Sequence, residues 1–199
     1  MIQFGLLRAK ASVTFPLRLE VDCGNQLRLS TSFRWDAGRY RHGITLRRVD
    51  GEIVDHWEDE VQSNEEDWPA SPPIQQLSLE TIQGAAALLG VGQAGKSHWS
   101  ISVEAIRCDA QPALKFDIAC RCRARPSWLG SSYSRSVEMP GSRPSLKLNR
   151  LATTRCSDGA MLVASCEIDQ TVVKKYPATF RWGYLVAVAS EGQSSITAS

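Results

Sequence analysis

The chain has 199 residues, 43% of them hydrophobic and 22% charged, enough apolar material to bury a core in one domain of ordinary size. Its formal net charge of +2 is too small to argue for nucleic acid or an anionic membrane from charge balance alone. No apolar run is long enough to span a membrane as a helix, and six cysteines in a chain of this length are no disulfide framework, so we expect reduced thiols and a cytoplasmic protein with no membrane partner.

The first residues, MIQFGLLRAKASV, lack the charged and apolar regions of a secretory signal, and none is expected. Phe15, Leu17, Leu19 and Val21 alternate with polar residues. So do Leu27, Leu29, Thr31, Phe33 and Trp35 beyond a turn at Cys23–Gln26, and the two runs read as a hairpin. An odd-length loop is expected, because it opposes Leu19 to Leu29 or Thr31, whereas a two-residue Gly24-Asn25 loop opposes Leu19 to Ser30. Residues 40–59 form a second hairpin, turning at Asp50-Gly51 in a type I′ turn, with Ile44 opposite Trp57, Arg41 opposite Glu60 and His42 opposite Asp59. Arg39, Arg41, Arg47 and Arg48 precede a carboxylate-rich stretch over 50–67, a pattern of cross-strand charge pairing on a solvated face.

Residues 62–73 carry acidic side chains and Pro69, Pro72 and Pro73, and read as a loop and candidate seam. Between Ile74 and Gly90 we expect a strand and then one short Ala- and Leu-rich helix over 82–89. The stretch after Ser97 pairs with the one around Phe116. A four-residue loop over 109–112 sets Ala105 against Phe116, Val103 against Ile118, Ile101 against Cys120 and Trp99 against Cys122. Residues 126–145 read as a long Ser-, Pro- and Gly-rich loop holding Trp128 and Tyr133. A hairpin around Ser157-Asp158-Gly159 and a last strand over 178–189 follow. The expected fold is all-β, or β-rich with one short helix, an antiparallel sandwich or barrel of about nine to ten strands. It spans 1–189 as one domain, with a flexible polar tail over 190–199.

Residues 90–97 read G-V-G-Q-A-G-K-S, a match to the phosphate-cradling pattern G-x-x-x-x-G-K-[ST]. Over this octapeptide the chain resembles the first loop of the P-loop NTPases. The resemblance implies that Gly90, Gly92 and Gly95 admit phosphate to the backbone, Lys96 neutralises a nucleoside triphosphate and Ser97 holds Mg. That machinery needs a helix directly after Ser97, where the sequence reads as strand, so the plainer reading is a Gly-rich entry to a hairpin. Asp117 is the one candidate second acidic ligand, and no series of βαβ units places it.

The remaining candidates are weaker. His42, His56 and His98 are too few and scattered for a zinc site, and no metal is expected. His42 with Asp59 makes an oriented imidazole but has no nucleophile beside it. Cys120 and Cys122 share one face of a strand and read as core thiols. Arg121, Arg123 and Arg125 alternate on one strand and, with His98, could line a surface for phosphate, carboxylate or nucleic acid. Trp68 and Trp128, in loops, and Tyr133 join these arginines as candidate contact residues. The function expected is a noncatalytic β-module that binds a protein partner or assembles with itself, with nucleic acid or carbohydrate as further ligand classes. A nucleotide-binding protein built on 90–97 is the alternative.

Overall fold

The computed structural model describes residues 16–60, 67–108, 110–135, 144–151, 154–157, 161–168 and 175–189. Within them lie thirteen strands and no helix. The first six are β1 (Leu17–Gly24), β2 (Leu27–Asp36), β3 (Arg39–Arg48), β4 (Ile53–Asp59), β5 (Ile74–Ile82) and β6 (Ala85–Ala94). Then come β7 (Ser97–Cys108), β8 (Gln111–Cys122), β9 (Gly130–Arg135), β10 (Leu146–Leu151), β11 (Thr154–Ser157), β12 (Met161–Cys166) and β13 (Ala178–Val188). Every pairing among them is antiparallel, in the order β10-β13-β8-β7-β6-β5-β3-β4-β9-β12-β11, with β2 on the other edge of β3 and β1 on β2. The two ends of this path, β10 and β11, are successive in the chain, so the sheet curls into a nearly closed barrel-like form.

The seam where the sheet turns back on itself is narrow: β3 meets β5 only at Tyr40 opposite Ile74. Pro72 and Pro73 precede it and offer no N–H to a ladder. At the bulge beside Ile74, the Gln75 side chain replaces the missing backbone bonds, accepting from Gln93 N at 2.9 Å and donating to Gln93 O at 3.1 Å. Gly92 permits the crossing, because a Cβ there would lie 1.8 Å from Pro73 O. Inside, Leu29, Phe33, Ile44, Leu46 and Trp57 share one apolar cluster with Leu88, Val103, Leu114 and Phe116, each wholly buried. Full burial of each such side chain contributes about 1.5–3 kcal/mol.

The first hairpin keeps the expected faces, with Leu19 opposite Thr31. It does so by a different route: Asn25 and Gln26 form a two-residue turn with φ of 49° and 59°, and a bulge between Asp22 and Gly24 supplies the odd residue. The second hairpin has the expected Ile44–Trp57 pair, but its turn is not type I′. Gly51 alone has a positive φ, 101°, Gly51 N donates to Arg48 O at 3.0 Å, and a bulge after Leu46 absorbs the extra residue.

Residues 82–89 are not a helix: Gln83 and Gly84, at φ of 51° and 83°, turn β5 into β6. Strand propensity is low in this Ala-rich stretch, and cross-strand pairing overrides it. In the β7–β8 hairpin the true loop is two residues, closed by Ala110 at φ 65°. The partners therefore slide by two, to Val103–Phe116, Ile101–Ile118 and Trp99–Cys120. A slip of two preserves the face of every side chain. The expected loop over 126–145 contains β9, and the first arm of the hairpin around 157–159 is split, β10 pairing β13 while β11 pairs β12. The tip of that hairpin and the tail over 190–199 lie outside the described residues.

Candidate functional site

On β7 and β8 the inward residues are large and apolar, whereas the outward ones are small or polar: His98, Ser100 and Ser102 on β7, Asp117, Ala119 and Arg121 on β8. Registry arranges the outer face in three rows. Gln93, His98, Arg121 and Thr179 make the first; Gln76, Val91, Ser100, Ala119 and Arg181 the second; Ser78, Leu89, Ser102, Asp117 and Gly183 the third. Because the middle of the second and third rows is Ser or Ala, the flanking side chains stand above it as walls. The result is a trough of about 900 Å³, with Gln76, Leu89 and Val91 on one side and Arg181 and Leu151 on the other. A second hollow of about 580 Å³ continues it past His98, Arg121 and Thr179.

The charges are segregated along this trough. His98, Arg121 and Arg181 lie at one end. Asp117 lies at the other, 2.7 Å from Lys115, whose ammonium it holds above its ordinary pKa by that hydrogen bond. Arg121 is exposed on β8, while Arg123 and Arg125, also exposed, follow the last residue of the strand, so the expected three-arginine stripe on one strand is confined to Arg121. Arg181 takes the second place, contributed by β13.

The octapeptide over 90–97 forms the second half of β6, a turn at Gly95-Lys96 and the first residue of β7. Strand, not helix, follows Ser97, so the amides and helix N-terminus that cradle phosphate in a P-loop do not form here. Its glycines have packing explanations instead. A Cβ at Gly90 would meet Ile101 and Ile74 at 2.8 Å, Gly92 lies against Pro73, and Gly95, at φ 52°, has the Asp67 carboxylate 1.9 Å from where its Cβ would be. Ser97 is buried.

The expected cross-strand couple of His42 and Asp59 exists, but in the interior. Asp59 Oδ1 accepts from Arg41 Nε at 3.0 Å and from His42 N at 3.2 Å, and Asp59 Oδ2 lies 3.7 Å from His42 Nδ1. His42 Nε2 is 2.8 Å from the Tyr133 hydroxyl, which in turn bonds the Tyr184 hydroxyl. A neutral imidazole with its proton on Nδ1 accepts from Tyr133 at Nε2, while Nδ1 faces the Asp59 carboxylate at 3.7 Å, beyond hydrogen-bond length. Burial pushes the His42 pKa down, against the pull of Asp59, and pushes the Tyr133 phenol well up. Phe33 stacks on the imidazole at 4.9 Å and Phe116 on Tyr184 at 4.8 Å, and His42, Asp59, Tyr133 and Tyr184 are all buried. This arrangement ties β3, β4, β9 and β13 together through buried side chains.

Tyr133 is therefore not a loop contact residue but a wholly buried residue of β9. Trp68 is half-buried against the core, and the Trp128 ring lies over Gly130, where a Cβ would come within 2.5 Å of it. Cys120 and Cys122 are buried with their sulfurs 3.5 Å apart, and burial pushes the Cys166 thiol up to about 11. Cys23, Cys108, Cys120, Cys122 and Cys166 carry no disulfide. Among the described residues no three His, Cys, Asp or Glu side chains converge as a metal site, and no helix is long and apolar enough to cross a membrane. No family model, curated protein or solved structure matches the chain.

Arg181, Ser100, Ser102 and Ala119 were not singled out from the sequence. The alternation that reserved Trp99, Ile101 and Val103 for the core already assigned the serines between them to the other face, but nothing in the sequence said that this face is hollow.

Proposed function

We propose that the protein is a noncatalytic binding module whose ligand site is the outer trough over β5, β6, β7, β8 and β13. The observation that carries this reading is the contrast in access. The imidazole facing Asp59 is buried in the core, while exposed Arg and His side chains gather at the end of a hollow large enough for a ligand. Hydroxyls, amides and a few apolar side chains line the hollow, a set that suits recognition better than turnover.

An NMR screen of the full chain against a fragment library tests it. Amide shifts are expected to converge on residues 76–78, 89–93, 98–102, 117–121 and 179–183. Shifts that cluster elsewhere, or that centre on Lys96 with nucleoside triphosphates alone, would overturn it.

A further inference from the structure

We infer that β5 is a self-association edge: two copies of the chain pair β5 with β5, antiparallel, about a two-fold axis at Leu79. The inference concerns an edge of the sheet and goes beyond the ligand reading of the trough.

Along one edge β5 pairs with β6, but along the other it meets only β3, and only at Ile74. Past Ile74 no strand among the described residues covers that edge. The turn fixes which backbone groups are left there. Gln83 and Gly84 both take positive φ, the type I′ form in which the Ile82 carbonyl accepts from Ala85 N–H. Hydrogen-bonded pairs alternate along an antiparallel ladder, so Ile82, Glu80 and Ser78 turn their backbone groups to β6. Leu77, Leu79 and Thr81 turn theirs to the open edge.

Edges are ordinarily blunted by charge, by proline or by a covering element. β1, the outer neighbour of β2, carries Arg18, Glu20 and Asp22 and lies across β6, β7 and β8. From Gln75 to Ile82, β5 has Glu80 as its one charge and no proline, and its bulge lies at the start, beside Ile74. Leu79 shares a face with wholly buried Leu88 yet is 48% exposed, and Ile82 is 43% exposed. A strand laid alongside would supply the cross-strand neighbours these side chains lack.

The occupant that fits this edge is the same edge of a second copy. Setting Leu79 opposite the partner's Leu79 opposes Leu77 to the partner's Thr81 and Thr81 to the partner's Leu77, so every open N–H and C=O of the three residues is matched. On the other face Ser78 lies opposite the partner's Glu80, a hydroxyl donor against a carboxylate acceptor. Sliding the pair by two residues one way puts Glu80 against the partner's Glu80, and the other way puts Thr81 against the partner's bulge at Gln75. A two-fold contact closes on itself, so association stops at the dimer. A single strand about 23 Å long buries less than the roughly 800 Å² per partner of a standard interface, which points to a dissociation constant on the order of 100 µM.

Sedimentation equilibrium of the full chain from about 10 µM to about 1 mM is expected to show monomer and dimer exchanging. Over the same range, amide exchange of Leu77, Leu79 and Thr81 should slow, while that of Gln83 and Gly84 in the turn should not. Leu79→Pro removes a donor that points away from β6, so the monomer is expected to keep its circular dichroism while the dimer weakens at least about tenfold. If that variant does not fold, Leu79→Lys and Leu79→Glu decide. Each alone should be monomeric and the two mixed should associate, because position 79 meets its own counterpart. A chain that stays monomeric to about 1 mM overturns the inference, leaving the edge to another protein's strand or to none. So does a dimer that survives Leu79→Pro or both charged variants. Mass growing past the dimer, or charged variants that associate no better mixed than apart, overturns the two-fold register.

Discussion

Strands β7 and β8 carry two surfaces of opposite character on one backbone. Inward, Trp99, Ile101, Val103, Phe116, Ile118 and Cys120 fill the core; outward, one residue along, His98, Ser100, Ser102, Ala119 and Arg121 leave a hollow with charge at its end. The interior also contains polar chemistry: Asp59 accepts from Arg41 and from His42 N, and the His42 ring bonds Tyr133, which bonds Tyr184. The difference teaches that alternation along one pair of strands places apolar bulk on one face and small or polar side chains on the other, while buried polar groups are held by partners from several strands.

The contrast between the two faces breaks most severely in the core. Phe116→Ala removes a wholly buried ring stacked on Tyr184 and is expected to lower unfolding free energy by about 4 kcal/mol in urea titration. A cost below about 1 kcal/mol would mean the inner face is not the packed one.

Gly92→Ala forces a methyl group into Pro73 O and is expected to cost about 2 kcal/mol. Tyr133→Phe leaves His42 and Tyr184 without their shared hydroxyl, also at about 2 kcal/mol.

The neutral His42 sharpens the contrast through pH. Its folded pKa is lowered from 6.5 by burial, so above pH 6.5 its contribution is complete. Below that value the unfolded chain takes up a proton that the folded chain refuses. Stability therefore falls with falling pH, at up to about 1.4 kcal/mol per pH unit, until the lowered folded pKa is reached. Denaturation between pH 7.5 and 5 should show this slope, and His42→Gln should flatten it.

Smallest of all, Lys96→Ala and Arg121→Ala are expected to change stability by less than about 0.5 kcal/mol, since both lie outside the core. A thermal scan in which Lys96→Ala cost more than Gly92→Ala would undo the packing account of the octapeptide.

Much of the fold was legible because a side-chain period of two is written directly in the sequence. Leu17, Leu19 and Val21 against Leu29, Thr31 and Phe33, or Ile44 against Trp57, could be paired by face alone. The turns were harder. Ala110, Asn25 and Gln26 adopt positive φ without being glycine, so loop lengths at 109–110 and 25–26 were misjudged while the faces held. The helix over 82–89 failed because local propensity was weighed without the neighbouring strand that overrides it. At the candidate site, His98 and Arg121 stood out by their charge. Arg181 did not, because it lies sixty residues from Arg121 and reaches it only through the β8–β13 pairing.

Sequence by itself determined a β-rich antiparallel chain, which residues of the strands it marked out face the core, and that the glycine-rich octapeptide leads into a strand, since hydrophobic alternation is a local property. Only the tertiary structure decided that Tyr133 joins His42 and Tyr184 in the buried interior, and that Ser100, Ala119 and Arg181 border one hollow. Those relations depend on registry between strands distant in the chain, and registry is set by how the whole sheet closes around its core.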